Sequence, residues 1–493
     1  MSRAKLIMVQ GTMSGVGKSL LCTALCRILR QDGYRVAPFK SQNMALNSGV
    51  TRDGREIGRA QIAQAEAAGV EPDARMNPVL LKPCSDTGSQ VIVNGLARAQ
   101  MDAAAYMPYK RELVPEILSA YDSLAEEYDV IVVEGAGSPA EINLRENDIV
   151  NMGLAELIDA PVLLAGDIDR GGVFAQLYGT VQLLEPAERA RIRGLVINKF
   201  RGDVSLLRPG LTQIEAMTGI SVLGVIPYLH IDLDDEDSLA TRLSASKNDK
   251  SIDVAVIRLP HISNFTDFAP LELNQYLGIR YVNSTRDFGK PDCVILPGTK
   301  STTGDLLWLR RNGLEAAILR LAGNGTPVLG VCGGYQMLGE ELHDPDGVEG
   351  AEPMLRGMEL LPCRTVFAAD KTLTRVTGTI AAPHLSGARV EGYEIHSGVT
   401  EARGEAFCRL ADGSEDGCCA GNVMGTYLHG MFDSGEASDR LCAWLCARKG
   451  VAAEQAVAEP RRAYRERQYD LLAEGVRAAL DMDAVYRIIR GEA

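Results

Sequence analysis

A cysteine flanked by glycines, Cys332, is the residue whose surroundings point most directly to covalent chemistry. It follows the apolar run Val328–Val331 and precedes two glycines, Gly333 and Gly334, and a helical pattern begins near Gln336. So tight a turn from strand to helix needs small neighbours, lifts the side chain above the sheet and points backbone N–H groups toward it. The positive end of the helix favours the thiolate, which attacks carbon. On residue type alone this cysteine would be a core residue, so the Gly-x-Cys-x-Gly-x-Gln spacing carries the prediction of a nucleophile.

The glycine-rich stretch GTMSGVGKS, which ends at Ser19, is the second place where spacing indicates chemistry. It lies between a strand-like run, Lys5–Gln10, and an amphipathic helical pattern, Leu20–Arg30. Strict phosphate loops have glycine where Thr12 stands, so this loop is a variant of the motif. Its backbone N–H groups can still cradle phosphates, Lys18 can reach the terminal ones and the Ser19 hydroxyl can ligate magnesium. The predicted ATP site includes Thr12, Gly15, Val16, Gly17, Lys18 and Ser19.

Further strand-like runs follow, separated by segments long enough for helices. These runs are Arg35–Phe39, Asp129–Glu134, Pro161–Gly166, Gly194–Asn198 and Val222–Ile226. Strands that alternate with helices form a parallel, doubly wound α/β sheet, whose ligands bind at the carboxyl ends of the strands. Glu134 closes one run as an acidic magnesium ligand would, and Asn198 and Lys199 close another. We predict that Ser19 and Glu134 hold Mg²⁺ and that Asn198 and Lys199 contact ATP.

The composition is typical of a soluble globular enzyme. At 493 residues the chain is long enough for two or three domains. A formal net charge of −14 argues against a nucleic-acid binder or a protein held on anionic lipid. No apolar run approaches the ~20 residues of a membrane span, and the N-terminus enters a strand instead of a signal peptide, so we expect a cytoplasmic protein. The 11 cysteines lack CxxC pairs, which suggests reduced thiols and neither disulfides nor a zinc site.

Longer strings of the sequence resemble known families. The phosphate loop is similar to that of dethiobiotin synthetase, and the cysteine motif resembles the active site of class I, triad-type glutamine amidotransferases. The strings PFKSQNMALNS, EIGRAQIAQA, MNPVLLKP, SDTGSQVIV, EGAGSPAEINLR, GDIDRGGVF and INKFRGD resemble the cobyric acid synthases of cobalamin biosynthesis, and they accompany a resemblance over nearly the whole chain. It implies that one domain uses ATP to activate the b, d, e and g carboxylates of adenosylcobyrinic acid a,c-diamide. A second domain would release ammonia from glutamine through a thioester.

The same resemblance suggests which polar strand-end residues bind the corrinoid. Forming an acyl phosphate brings two anions together, so an acidic chain needs local cations, and amide groups suit a rim of carboxylates and amides. The predicted substrate-binding residues are Lys40, Asn43, Asn47, Ser89, Gln90, Asp148, Asp167 and Arg170. Lys82 and Arg201 are further candidate cations in these strings. For Asp148, which precedes a helical pattern, a structural helix cap is the alternative.

The glutaminase base should be one of the 6 histidines. His429, in VMGTYLHGMF, ends a strand-like run and matches the late histidine of the amidotransferase family. The usual triad places glutamate two residues later, where this chain has Met431, so we predict a Cys332–His429 dyad and leave the orienting group open. The Pro-Gly turn after the run ending at Leu296 resembles an oxyanion loop, which implies that the amides of Gly298 and Gly333 hold the oxyanion.

Polar and charged residues separate two predicted domains. We expect a synthetase domain at 1–232, a linker at 233–251, an amidotransferase domain at 252–448 and a helical tail at 449–493. In the tail, apolar residues from Arg462 onward recur at helical spacings, and a short second helix is expected at Ala484–Ile489. The oligomeric state stays open, a homo-oligomer included.

Three other interpretations compete with this one. Cobyrinic acid a,c-diamide synthases share the two-domain plan, but the NMALNS and SDTGSQ strings favour the first family. A dimerising ATPase switch of the chromosome-partitioning kind would carry a second lysine where Met13 stands. A binding module with an inactive glutaminase is the third alternative, and intact Cys332, Gly333 and His429 argue against it.

Overall fold

Two mainly parallel sheets organise the chain, one in each half. The computed structural model describes residues 3–84, 88–233, 249–350, 352–452 and 460–492. The strands of the first half are β1 (Lys5–Gly11), β2 (Val36–Phe39), β3 (Gln42–Met44), β4 (Ser48–Val50), β5 (Glu56–Gly58), β6 (Val79–Pro83), β7 (Gly88–Val93), β8 (Leu96–Asp102), β9 (Val130–Glu134), β10 (Val162–Asp167), β11 (Ile192–Phe200) and β12 (Val222–Pro227). Its helices are α1 (Lys18–Gln31), α2 (Arg59–Ala68), α3 (Ala103–Glu112), α4 (Val114–Glu127), α5 (Met152–Leu157), α6 (Val173–Leu183), α7 (Pro186–Arg189) and α8 (Arg208–Thr218), with 3-10 turns at Ala74–Met76, Arg145–Asn147 and Val204–Leu207.

The first sheet has the strand order β12-β11-β10-β1-β9-β2, and its neighbouring strands run parallel. Its strands are almost continuous apolar runs because helices cover the sheet, so side chains on both faces are buried. The register pairs Val9 with Glu134 and Asp167 with Asn198, which brings the polar strand ends to one edge. The predicted doubly wound α/β fold is confirmed here, with strand bounds within one or two residues of those expected.

The second half follows with its own sheet. Its strands are β13 (Ile252–Ile257), β14 (Leu277–Val282), β15 (Cys293–Leu296), β16 (Val328–Val331), β17 (Glu341–His343), β18 (Met354–Arg356), β19 (Cys363–Ile380), β20 (Arg389–Ala402), β21 (Cys408–Leu410), β22 (Glu415–Asp416), β23 (Cys418–Ala420) and β24 (Val423–Thr426). Its helices are α9 (Ala269–Glu272), α10 (Thr285–Phe288), α11 (Thr302–Arg311), α12 (Leu314–Gly323), α13 (Gly333–Leu338) and α14 (Glu436–Lys449), with a 3-10 turn at Phe265–Phe268. The sheet order is β14-β13-β15-β16-β24-β23, in which only β23 is antiparallel among the described pairs.

Two sheets built mainly from antiparallel pairs were not predicted. The long hairpin β19–β20 builds one sheet with β17, β18, β21 and β22, and the first half carries a smaller sheet in the order β3-β6-β7-β8. Many residues of β19 and β20 are partly or fully exposed on one face, so these strands lack the continuous apolar runs that mark the central strands.

The C-terminal helices α15 (Arg461–Ala479) and α16 (Met482–Arg490) confirm the predicted helical tail, but they are packed on the first half of the chain. Apolar residues of both helices share a core with α1 and the first sheet. Arg27 Nε donates to Asp470 at 2.8 Å, and Leu480 forms an antiparallel bridge with Gly224. The helical tail therefore packs with the first half of the chain. Of the expected linker, residues 234–248 lie outside the described residues.

The two halves meet where the β4–β5 hairpin lies against β19 and β20. Lys371 Nζ is 2.5 Å from Glu56, and the Tyr393 hydroxyl donates to the Ser48 carbonyl at 3.0 Å. The Ser48 amide donates to Asn264 Oδ1 at 3.1 Å. The hairpin of the first half thus touches three separate segments of the second.

Candidate active sites

Cys332 stands in a strained turn between β16 and α13. Its backbone angles are φ 52° and ψ −112°, which residues with a side chain rarely adopt, and its amide donates to the Thr426 carbonyl at 2.8 Å. A side chain at Gly334 would place its Cβ 2.1 Å from the Leu296 carbonyl oxygen, and one at Gly330 would lie 2.7 Å from the Tyr335 nitrogen. The glycines are therefore required by close approach, and the geometry is that of the predicted nucleophile elbow.

His429 is buried beside the thiol and is held by a carboxylate. Its Nδ1 lies 2.6 Å from Asp267 Oδ2, while Asp267 Oδ1 accepts from the Gly430 amide at 3.1 Å. Asp267 lies in the 3-10 turn after β13 and is 7% exposed. The group that orients His429, which the sequence analysis left open, is Asp267.

The charge state of His429 follows from this contact. Burial disfavours the imidazolium, but the charge and hydrogen bond of Asp267, with a smaller contribution from Cys332, raise the pKa of His429 to about 10. The ring nitrogen Nε2 is buried, and no described residue lies within ordinary hydrogen-bond distance of it. The Cys332 thiol is nevertheless close enough to contribute to the raised pKa of His429. The arrangement favours an imidazolium that can stabilise a neighbouring thiolate.

The predicted oxyanion loop also lies at this site. An added Cβ at Gly298 would be 3.3 Å from His429 Cε1, and one at Gly333 would be 3.2 Å from the Thr299 nitrogen. The two glycines therefore border the same small space, next to Cys332 and His429. Asp305 fixes the loop from behind, since it accepts from the Thr299 hydroxyl at 2.5 Å.

Residues from both halves of the chain line the cavity that contains Cys332. The second half contributes Gln336, Lys300 and Glu349, and the first half contributes Lys82. Burial raises the pKa of Glu349 to about 7, against the opposing charge of Lys300. The cavity therefore holds groups of both charge signs beside the nucleophile.

The phosphate loop brings together the residues predicted for ATP and magnesium. Ser19 Oγ donates to Glu134 Oε1 at 2.8 Å, and Lys40 Nζ lies 2.9 Å from the same oxygen. Burial alone would raise the pKa of Glu134, but the charge of Lys40 holds it below its ordinary value. Lys18 donates to the Gly137 carbonyl at 2.9 Å, and burial lowers the pKa of Lys18 to about 8.

Asn198 and Lys199 contact the loop from the adjacent strand end. Asn198 Nδ2 donates to the Val16 carbonyl at 2.8 Å, and a Cβ on Gly17 would lie 2.4 Å from the same nitrogen. Lys199 Nζ donates to the Gly15 carbonyl at 2.6 Å and to Asp167 Oδ2 at 2.9 Å.

The predicted corrinoid residues do not form one group. Asp167 and Arg170 lie beside the phosphate loop, where Arg170 Nε is 3.9 Å from Asp167. Lys40 pairs with Glu134 as described above. Asp148 accepts from the amides of residues 150, 151 and 153 at 2.8–3.0 Å, which supports its alternative role as a structural cap.

The remaining candidates lie toward the domain interface. Asn43 and Asn47 are buried, and Asn43 Nδ2 donates to Gln61 Oε1 at 3.0 Å. Ser89 and Gln90 are half-buried on β7, where the register places Gln90 opposite Lys82. Lys82, a further candidate cation, pairs with Glu56 and lines the Cys332 cavity, and its contact with the corrinoid stays a prediction.

Sequence reasoning missed Asp267 and Glu56. Asp267 is 162 positions from His429 in the chain, so no local spacing marks it. Glu56 lies in a string used only for its resemblance to a family. The role of each residue becomes clear only in the folded structure, where its partner lies next to it.

Comparison with known proteins finds a different family model for each half of the chain. Residues 7–238 match the CobQ/CobB/MinD/ParA nucleotide binding domain, and residues 253–437 match the CobB/CobQ-like glutamine amidotransferase domain. The chain is 53% identical to a cobyric acid synthase of Lachnoclostridium phytofermentans, over 99% of each chain. It is 54% identical to one of Ruminiclostridium cellulolyticum, over 99% of this chain and 97% of the relative, and 52% identical to one of Yersinia enterocolitica, over 98% of each.

The described residues include no helix long and apolar enough to cross a membrane. Full-length similarity and two matching domains, each with its site geometry in place, lead to one conclusion. The chain belongs to the cobyric acid synthase family of glutamine amidotransferase ligases.

Proposed function

We propose that the chain amidates the b, d, e and g carboxylates of adenosylcobyrinic acid a,c-diamide, with ATP as the activating substrate and glutamine as the nitrogen donor. The observation that carries the proposal is the similarity to cobyric acid synthases over 98–99% of this chain. The presence of a phosphate loop and a Cys332–His429–Asp267 set in one chain supports it, because the reaction needs both.

In the glutaminase half, Cys332 is the nucleophile. Its thiolate attacks the side-chain carbonyl carbon of glutamine, and His429 donates the proton with which the nitrogen leaves as ammonia. Water then attacks the thioester while His429 accepts its proton, which releases glutamate and restores the thiol. No described hydrogen bond uses the amide of Gly298 or of Gly333, which supports their assignment to the oxyanion.

Charged groups of the cavity suit the amino acid end of glutamine. Glu349 can accept from the α-ammonium group, and Lys300 can contact the α-carboxylate. Gln336 is already fixed, since it accepts from the Thr302 hydroxyl at 3.1 Å and donates to the Tyr427 hydroxyl at 3.0 Å.

In the synthetase half, a carboxylate oxygen of the corrinoid attacks the terminal phosphorus of ATP, and ADP leaves. Ammonia then attacks the acyl carbon of the mixed anhydride, phosphate departs and the ammonia nitrogen loses its extra proton. Lys18 is placed to stabilise charge on the transferring phosphoryl group. Asn198 and Lys199 hold the loop carbonyls so that the loop amides face the phosphates.

Magnesium fits the oxygen donors at the first strand edge. The Ser19 hydroxyl and the Glu134 carboxylate are hard ligands 2.8 Å apart, and Mg²⁺ typically takes one or two protein oxygens besides phosphates and water. When bound, the ion neutralises charge on the phosphates. Lys40 and Gln64 would fix the orientation of the carboxylate.

The test is mass spectrometry of the corrinoid a,c-diamide incubated with the protein, ATP, magnesium and glutamine. We expect successive products that each differ by the replacement of one carboxyl hydroxyl by an amino group. An unchanged a,c-diamide, together with amidation of unmodified cobyrinic acid, would assign the chain to the diamide-forming reaction instead.

A further inference from the structure

The cavity that contains Cys332 is closed on one side by the other half of the chain. Lys82 of β6 lies in its wall, together with Asn264, Lys300 and Lys371 of the second half. A glutaminase domain that worked alone would have no need of a wall from its neighbour. Lys82 therefore shows which side of the cavity faces the first half, where the proposed synthetase site lies.

Glu56 links the two halves at this wall. Its carboxylate lies 2.5 Å from Lys82 and 2.5 Å from Lys371, and it accepts from the Ser48 hydroxyl at 2.8 Å. Glu56 is 1% exposed, and the two lysine side chains are 5% and 10% exposed. Burial alone would raise the pKa of Glu56, but Lys371 and Lys82 hold it well below its ordinary value. Buried ion pairs are weak stabilisers because their desolvation is costly, so this cluster invites a role other than stability.

Buried carboxamides continue from the cluster toward the phosphate loop. Helix α2 begins directly after β5, so Glu56 and Gln64 lie on one continuous segment. Gln61 and Gln64 are one turn apart, both fully buried, and Gln64 Nε2 donates to Glu134 Oε2 at 2.5 Å. Gln61 Nε2 and Gln64 Oε1 have no hydrogen-bond partner among the described residues. Unpaired buried polar atoms are costly, which favours a small polar guest beside them.

We propose that Glu56 couples the two active sites: with Lys82 and Lys371 it forms the gate through which ammonia leaves the Cys332 cavity, and Gln61 and Gln64 line its way to Glu134. The proposal rests on the proposed function, since it requires ammonia to be made at Cys332 and consumed at the phosphate loop. Ammonia in neutral water is mostly protonated, as other aliphatic amines are, and the ammonium ion is not a nucleophile. Three lysines around the gate, Lys82, Lys300 and Lys371, outnumber the Glu56 carboxylate, which disfavours a further cation and favours a neutral guest.

A gate and a simple interdomain clasp predict different results when Glu56 is neutralised. If the cluster only holds the halves together, the loss of one charge lowers stability and affects every activity in parallel. If it is a gate, glutamine hydrolysis continues while ammonia escapes to solvent. The amount of glutamate formed per amide is therefore the decisive quantity.

The experiment uses the full-length chain with Glu56→Gln, and Glu71→Gln as its matched control. Glu71 also forms an interdomain ion pair, 3.6 Å from Arg375, but this pair is exposed and does not line the cavity. We expect wild type and Glu71→Gln to release close to one glutamate per amide, and Glu56→Gln to release several-fold more. Amidation driven by a high concentration of ammonium salt should be unchanged in all three proteins.

The possible results distinguish a failure of the proposed gate from a failure of the proposed function. A wild-type ratio in Glu56→Gln that still amidates with ammonia would overturn the gate, as would equal uncoupling in Glu71→Gln. If Glu56→Gln fails to fold, Lys371→Gln removes the second-half charge of the same cluster and must show the raised ratio. If wild type amidates no corrinoid with either nitrogen source, the proposed function fails, whatever the variants do.

Discussion

Replacing Asp267 by Asn tests the triad with almost no change of shape. The side chain keeps its size, and one oxygen can still accept from the Gly430 amide. The atom that faces His429 Nδ1 at 2.6 Å would then be an amide nitrogen, a donor that matches only the tautomer with its proton on Nε2. That tautomer cannot accept a proton from the thiol of Cys332.

The expected loss can be worked from the site. Burial lowers the pKa of His429, but Asp267, with a smaller contribution from Cys332, raises it from 6.5 to about 10. Removing the Asp267 charge takes away the chief raising cause, so we expect the pKa to fall back toward its ordinary range. At pH 8 the imidazolium then falls from nearly the whole population to less than about a tenth, which costs roughly a factor of 10 or more. Loss of the correct tautomer in a comparable serine triad costs about 10⁴ in kcat. We expect glutamine hydrolysis to fall by about 10² to 10⁴.

The assay is the rate of glutamate release between pH 6 and 9, with ammonia-driven amidation measured in parallel. The variant should lose glutamine hydrolysis, gain a pH dependence in the range where wild type is flat, and keep ammonia-driven amidation. Glu341→Gln is the control, since Glu341 also pairs with a histidine, His343 at 2.7 Å, and no described contact joins Glu341 to a candidate site residue. Glutamine hydrolysis within about threefold of wild type would refute the role given to Asp267.

Four further variants test the phosphate loop, the magnesium site, the nucleophile and the buried carboxyl of the Cys332 cavity. Lys18→Ala should abolish amidation with either glutamine or ammonia, because the phosphoryl group loses its stabilising charge, and turnover near that of wild type at saturating ATP would contradict this. Glu134→Gln should raise the magnesium concentration needed for half-maximal activity and lower Tm, because buried Lys40 loses the opposite charge of Glu134; an unchanged magnesium titration would remove Glu134 from the metal site. Cys332→Ser should stop glutamine-dependent amidation, and ammonium salt should restore it, unless ammonia must enter through the glutaminase site. Burial raises the pKa of Glu349 from 4.5 to about 7, so the folded protein binds the extra proton in that window and loses stability as pH rises through it; Glu349→Gln should therefore raise Tm relative to wild type at pH 8 but not at pH 4.5, and an equal difference at both values would contradict the assignment.

Residue spacing was sufficient to predict a structural feature wherever a single segment of the chain supplies the whole feature. The glycines that allow the turn at Cys332 and the loop that ends at Ser19 lie within one short segment each, so the sequence shows them directly. The same holds for the central strands, whose apolar runs follow from burial on both faces. Helix and strand bounds in these parts agree closely with those expected from the sequence.

The orienting carboxylate could not be found in this way. The family pattern directs attention to the position two after His429, but Met431 there is buried among apolar residues. Asp267 reaches the histidine because β13, β15, β16 and β24 are neighbours in one parallel sheet. Strand order is a tertiary property, and a one-dimensional pattern does not contain it.

The partners of charged residues are the second feature that the sequence alone could not predict. The string that contains Lys82 marks it only as a candidate cation for an anionic substrate, whereas the structure shows that it pairs with Glu56 and lines the Cys332 cavity. A lysine side chain is long enough to reach either direction, and its partner decides which one it takes. The interface that supplies this partner is built by the β4–β5 hairpin, which no periodicity in the sequence marks.

Contacts of His429, the proposed catalytic base, link the two halves of the chain. Tyr393 stacks on His429 with ring centres 5.3 Å apart, and its hydroxyl donates to the Ser48 carbonyl of the first half at 3.0 Å. Ser48 in turn accepts from Lys82 and donates to Glu56, the residues at the cavity wall. A displacement of the β4–β5 hairpin is therefore felt at the ring that packs on the base and at the wall of the cavity together. Under the proposed function and gate, an occupied ATP site that moved this hairpin would alter both His429 and the exit of ammonia. The contacts at Ser48 would then be the physical route by which the consumption of ammonia governs its release.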